Sequence, residues 1–150
     1  MCAECRLTVF LVEDNPADIC LFQEAAAECG LPPDFDVVEN GRDALRFLRR
    51  QECYAAARRP DVIVMDLNLP IKKGGEVLRE ISADPGLNTI PVAVLTTADS
   101  ERHVCELYPP GRCLYFVKPY EFNELVDIVR QIRAHAEAGM RPPGPDSHAG

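Results

Sequence analysis

The chain has 150 residues, 47% of them hydrophobic, with 24 acidic against 16 basic side chains and a formal net charge of −8. That length accommodates one domain with a substantial core and leaves no room for a second. The acidic balance disfavours nucleic acid and anionic membranes as direct partners. No apolar run approaches the roughly 18 to 20 residues of a bilayer span and no cleavable apolar leader opens the chain, so the expected compartment is the cytoplasm.

In chain order, residues 1–5 read as a flexible N-terminus and the first strand is predicted at Leu7 to Val12, an apolar run rich in β-branched residues. Helical spacing follows over 16–29: Asn15 can cap that helix, Pro16 suits its first turn, and Asp18 places negative charge at the positive end of its dipole. Gly30, Pro32 and Pro33 end it. The alternation then repeats, with strands at Phe35 to Val38, Val62 to Met65, Val92 to Leu95 and Leu114 to Val117, and helices at 41–52, 75–83, 99–107 and 121–136. Buried strands separated by helices predict a parallel sheet covered on both faces, an open doubly wound α/β sandwich. In the last helix Phe122, Leu125, Val126, Val129 and Ile132 form the inward stripe, and Ile128 widens it toward a face suited to a partner. Residues 139–150 hold three prolines and no large aliphatic beyond Met140, so they read as a disordered tail and the domain as 6–138.

Seven cysteines, at 2, 5, 20, 29, 53, 105 and 113, are odd in number and irregularly spaced, which predicts reduced, mostly buried thiols. Cys2 and Cys5 lack a second ligand pair, so a terminal extension is a plainer reading than a metal or redox site. His103, His135 and His148 have no companion acids or thiols and read as surface residues. The arginines between 42 and 59 read as a solvated helix face, with docking of an acidic partner as the sharper alternative.

Ligands of open α/β sheets bind outside the carboxyl ends of the strands, where strand order reverses. Here the first strand ends in Glu13 and Asp14, the third in Asp66, the fourth in Thr96 and Thr97, and the fifth in Lys118 before Pro119. Converging carboxylates repel by about 4 kcal/mol per pair at 4 Å and an effective dielectric near 20. Such a cluster raises its pKa values or recruits a cation, and an all-oxygen ligand set suits Mg²⁺ with positions left for a phosphoryl oxygen. A lysine and a threonine hydroxyl complete the donors a phosphoryl group needs.

These stretches, VEDNP at 12–16, DLNLP at 66–70 with Gly74 after it, IPVAVLTT at 90–97 and YFVKP at 115–119, resemble the receiver domains of bacterial response regulators over roughly residues 6–135. The resemblance implies a flavodoxin-like (βα)5 fold with strand order 2-1-3-4-5, and a single-domain regulator that takes phosphate on Asp66 from the phosphohistidine of a sensor histidine kinase. It further implies Mg²⁺ on Asp14, Asp66 and the backbone carbonyl of Asn68, with Glu13 acting through a coordinated water. Lys118 becomes the counter-charge to Asp66 and its phosphate, and Thr96 with Tyr115 the switch pair. The output becomes a protein contact of the surface made by the fourth helical segment, the fifth strand and the last helix, homodimerisation being one form of it. The wording VEDNPAD, LNLP and VLTT also resembles short regulators paired with phytochrome-type kinases, bacteriophytochromes among them.

Four features depart from the family pattern. Glu13 stands where Asp is also frequent, and Lys73 occupies a position that is often acidic. Thr97 stands where a smaller residue is usual, which predicts slow dephosphorylation because its bulk hinders attacking water. Tyr108-Pro109-Pro110-Gly111 cuts the fourth helix short and alters the output face. The competing enzyme reading is a Mg²⁺-dependent phosphohydrolase with Asp66 as nucleophile, but such enzymes need a second acid two residues later, and that position is Asn68.

Overall fold

A computed structural model describes residues 7–31, 35–97 and 100–140. Five parallel strands, β1 (Val9–Val12), β2 (Phe35–Val38), β3 (Val62–Met65), β4 (Val92–Thr96) and β5 (Cys113–Val117), lie in the order β2-β1-β3-β4-β5. The helices are α1 (Pro16–Glu28), α2 (Gly41–Leu48), α3 (Gly74–Ser82) and α4 (Phe122–Met140). The expected flavodoxin-like, doubly wound sheet is therefore present.

Strand parity divides the interior into two cores. Phe10, Val12, Ile63, Met65, Val92 and Val94 point to one face and pack with α2 and α3. The alternate residues Val9, Leu11, Val62, Val64, Ala93 and Leu95 point to the other and pack with α1 and α4. The central strands β1, β3 and β4 are buried along their whole length, whereas the edge strand β5 is half-buried throughout. Only strands apolar on both faces can sit between two helical layers, which is why their sequences are continuous rather than alternating.

The first helix starts as expected. Asn15 Oδ1 accepts from the N–H groups of Ala17 (2.9 Å) and Asp18 (3.3 Å), and Pro16 opens the helix, where its missing N–H costs nothing. Gly30 adopts φ +75° just past its end, a conformation that glycine tolerates without strain. The second helix stops at Leu48, short of the expected 52, because Arg50 turns to positive φ and a 3-10 turn occupies Glu52–Tyr54.

The expected fourth helix over 99–107 is instead a six-residue 3-10 segment, Arg102–Leu107. Its successors are Tyr108, buried with its hydroxyl donating to the Leu78 carbonyl at 3.3 Å, and then two prolines that cannot extend a helix. The last helix runs on through Gly139 and Met140, two residues that the sequence pattern assigned to the tail. Leu125, Val126, Val129 and Ile132 are buried as expected, joined by Ala136, but Phe122 at the helix start is 36% exposed and leaves the inward stripe. Ile128 packs half-buried against the second core.

The cysteine reading is corrected. Cys105 and Cys113 form a disulfide between the 3-10 segment and the start of β5, their Cα atoms 5.2 Å apart, while Cys20 and Cys53 are exposed. Packing of the 3-10 segment against β5 brings together two thiols that are eight residues apart in sequence. His135 is likewise half-buried, its Nε2–H donating to the Arg112 carbonyl at 2.9 Å, whereas His103 is exposed. Most arginines between 42 and 59 are used within the fold: Arg46 pairs with Asp43 and Glu52, Arg49 with Glu80, and Arg58 with Asp36. Cys2, Cys5, Pro32, Pro33, His148 and the tail beyond residue 140 lie outside the described residues.

Candidate functional site

β1 and β3 are neighbours at the point where strand order reverses, and Val12 pairs with Met65, so the residues just beyond, Glu13 and Asp66, leave the sheet side by side. Their backbones remain tied to it: Glu13 N–H donates to the Val38 carbonyl and Asp66 N–H to the Val12 carbonyl, both at 3.1 Å. The loop after Asp66 is held by α3. Gly74 N–H donates to the Leu67 carbonyl at 3.0 Å, and a Cβ on Gly74 would come within 2.5 Å of the Asp66 carbonyl oxygen. Only glycine allows that approach.

Glu13, Asp14 and Asp66 each bring a carboxylate oxygen within 4.8 Å of the others. Glu13 and Asp66 are buried at 4% and 6% exposure, while Asp14 is open to solvent. Lys118 enters from the end of β5, its N–H bonded to the Thr96 carbonyl at 2.7 Å. Its ammonium lies 2.8 Å from Glu13 Oε1, 2.8 Å from Asp18 Oδ2 and 2.9 Å from Asp66 Oδ2. These four side chains and Asp14 border an open cleft of about 470 Å³, which Asn68 and Thr97 also line.

The electrostatics follow from burial and neighbours. Burial is the largest influence on Glu13 and raises its pKa; the hydrogen bond from Lys118 lowers it and the Asp66 charge raises it, and the net shift is upward. Burial also pushes Asp66 upward but is outweighed by the Asn68 N–H, which donates to Asp66 Oδ1 at 3.1 Å, and by Lys118, so its net shift is downward. Burial alone would lower the Lys118 pKa, yet hydrogen bonds to Asp18, Glu13 and Asp66 raise it and keep the ammonium charged. The Thr96 hydroxyl is near enough to Asp66 to add the last of these downward influences, but it is wholly buried and makes no well-formed hydrogen bond among the described residues.

The cleft thus brings together Glu13, Asp14, Asp66, Asn68 and Lys118, with Thr96 directly behind. Tyr115 does not reach it. That ring is half-buried against the first core, and the Arg102 guanidinium sits 4.9 Å from its centroid. Asp18 was missed as a site residue, because its place in the first turn of α1 already had an adequate explanation in the helix dipole. Side chains of a helix tilt toward its N-terminus, and that tilt aims Asp18 back at the rim from which α1 departs.

A profile described as the response regulator receiver domain matches residues 9–130. The chain belongs to this family. Among relatives, Rcp1 of Synechocystis is 37% identical over 126 residues, covering 84% of this chain and 86% of Rcp1. FilR2, a probable methanogenesis regulatory protein of Methanothrix harundinacea, is 34% identical over 143 residues, covering 95% and 92%. Among solved structures, phosphorylated RcpA, a cyanobacterial phytochrome response regulator, superimposes with TM-score 0.79 at 42% identity, covering 93% of this chain and 99% of RcpA. The Mn²⁺-bound form of Rcp1 follows with TM-score 0.75 at 37% identity, covering 85% and 92%. As a receiver-domain response regulator, the chain is a signalling protein homologous to the phytochrome-associated regulators Rcp1 and RcpA.

Proposed function

We propose that this response regulator accepts a phosphoryl group on Asp66 from the phosphohistidine of a sensor histidine kinase and signals through a changed protein contact. The arrangement of Lys118 between Asp66 and Glu13, with Asp14 in reach of both acids, carries the reading. The three clustered carboxylates are an all-oxygen donor set that fits Mg²⁺, held by Asp14, Asp66 and the Asn68 carbonyl with Glu13 through a coordinated water. Once bound, such an ion supplies charge neutralisation on the phosphoryl oxygens.

The chain's own residues do the rest. An Asp66 carboxylate oxygen forms the new bond to phosphorus as the phosphorus–nitrogen bond of phosphohistidine breaks and the imidazole leaves with the electron pair. Lys118 offsets the charge on the transferred group, and Thr96, whose buried hydroxyl has no hydrogen-bond partner among the described residues, turns toward a phosphoryl oxygen. Tyr115 lies on β5 beside the 3-10 segment and responds to that turn, which biases the surface formed by the 3-10 segment, β5 and α4. Homodimerisation through that surface, a bacteriophytochrome as the kinase and a cytoplasmic setting belong to the same proposal, and the likeness to RcpA, a cyanobacterial phytochrome response regulator, supports the choice of kinase. Among the described residues no helix is long and apolar enough to cross a membrane.

A phosphohydrolase is disfavoured, since the amide of Asn68 cannot serve as the required general acid and base. Thr97 is exposed at the cleft, where its bulk slows water attack and prolongs the phosphorylated state. Loss of phosphate within seconds in a trapping measurement would overturn that last point. The main reading is tested with Mg²⁺ and acetyl phosphate: intact mass must rise by one phosphoryl group for the wild type and not for Asp66→Asn, with sizing chromatography reporting any dimer.

A further inference from the structure

An ammonium has three N–H bonds, and in this structure three carboxylates from three different elements take them. Glu13 and Asp66 belong to the metal-binding group. Asp18 does not: it lies outside the cluster of acids whose oxygens could share one cation. It is the third residue of α1, its N–H donating to Asn15 Oδ1, and its carboxylate reaches across to a lysine 100 residues away.

We propose that Asp18 is a positioning residue that holds Lys118 in the unphosphorylated protein and competes with the incoming phosphoryl group for that ammonium. The inference rests on Asp66 being the acceptor. Phosphorylation turns the Asp66 carboxylate into an acyl phosphate and passes its N–H of Lys118 to the phosphoryl group, whose three acceptor oxygens draw a second N–H only if Glu13 or Asp18 releases one. Burial decides which one. The side chains of Glu13 and Asp66 are 6% and 7% exposed, whereas Asp18 is 33% exposed. Releasing Glu13 strands a buried carboxylate, but releasing Asp18 returns a carboxylate to water. Asp18 is therefore the bond that opens, and its charge opposes phosphorylation while favouring cation binding.

This competition predicts opposite signs for two ligands of one cleft. In the full chain, Asp18→Asn replaces the charge-assisted bond from Lys118 with a weaker one to an amide oxygen and removes one negative charge. Beryllofluoride, a phosphoryl mimic measured by fluorine NMR at saturating Mg²⁺, is expected to bind about tenfold tighter, the scale of one charge-assisted hydrogen bond. Mg²⁺ alone, measured by calorimetry, is expected to bind more weakly, and Asp18→Glu restores both affinities toward wild type. A purely structural Asp18 at the start of α1 weakens both ligands together when removed. Should Asp18→Asn not fold, Asp18→Ser, uncharged and tolerated near a helix start, carries the same expectation. Unchanged or weaker beryllofluoride binding in a folded Asp18→Asn overturns the competition. A wild type that binds no beryllofluoride overturns instead the assignment of Asp66, and the competition falls with it.

Discussion

The Arg102 guanidinium stands 4.9 Å above the Tyr115 ring, so a cation from the 3-10 segment covers an aromatic of β5. Tyr115 pairs with Val94 on β4, two residues before Thr96, and its ring shares the face of the sheet to which Thr96 belongs. Arg102 is thus coupled to the layer behind the cleft. Arg102→Ala is expected to cost about 0.5–1 kcal/mol, the scale of an exposed cation–π contact, read as a lower urea midpoint at unchanged m-value.

The Cys105–Cys113 bridge closes a short loop over Tyr108-Pro109-Pro110-Gly111. On loop entropy alone a bridge of this span is worth about 2–3 kcal/mol. A thiol reductant, or Cys105→Ser, should lower the denaturant midpoint accordingly, and alkylation under denaturing conditions without reductant should leave both thiols unlabelled. Full labelling of all seven cysteines in the isolated, unreduced protein would contradict the bridge.

Gly74→Ala pushes a methyl group against the Asp66 and Leu67 backbone. Moving α3 to relieve that clash is expected to cost about 1–3 kcal/mol and to disturb the loop that aims Asp66. Thermal unfolding reads the first effect, and a raised Mg²⁺ requirement for phosphorylation by acetyl phosphate reads the second.

Burial lowers the His135 pKa below its ordinary value of 6.5, more than the Arg112 carbonyl raises it. The unfolded chain therefore takes up a proton before the folded one does, and stability is lost as pH falls through about 6.5, levelling off below the folded pKa. His135→Gln keeps a donor for Arg112 and should flatten the denaturant midpoint between pH 7.5 and 5.5, each value about one unit from the unperturbed pKa. An unchanged slope in that variant would contradict the assignment.

The strands were legible because each is a short, mainly apolar run, those of β1, β3 and β4 buried along their whole length, and the acids were legible because they follow such runs. Glu13, Asp14, Asp66 and Lys118 were placed by topology alone: the rim of a doubly wound sheet collects whatever follows its strands. Two things were not legible. Spacing cannot distinguish six residues of 3-10 helix from the turn and a half of α-helix it resembles, so Arg102–Leu107 was drawn too regular and the Cys105–Cys113 contact went unseen. The link from Asp18 to Lys118 spans 100 residues, and no local pattern encodes a partner at that separation.

The division of the sheet by strand parity has a further consequence. Val92, Val94 and, in the same phase, Thr96 share a face with Cys113 and Tyr115, under the 3-10 segment, whereas Ala93 and Leu95 look the opposite way toward α1 and α4. A nudge given to Thr96 is delivered to one side of β4 only. The reverse side works as ballast: α1 moors the lysine through Asp18, so a shift of Thr96 would be answered across the sheet.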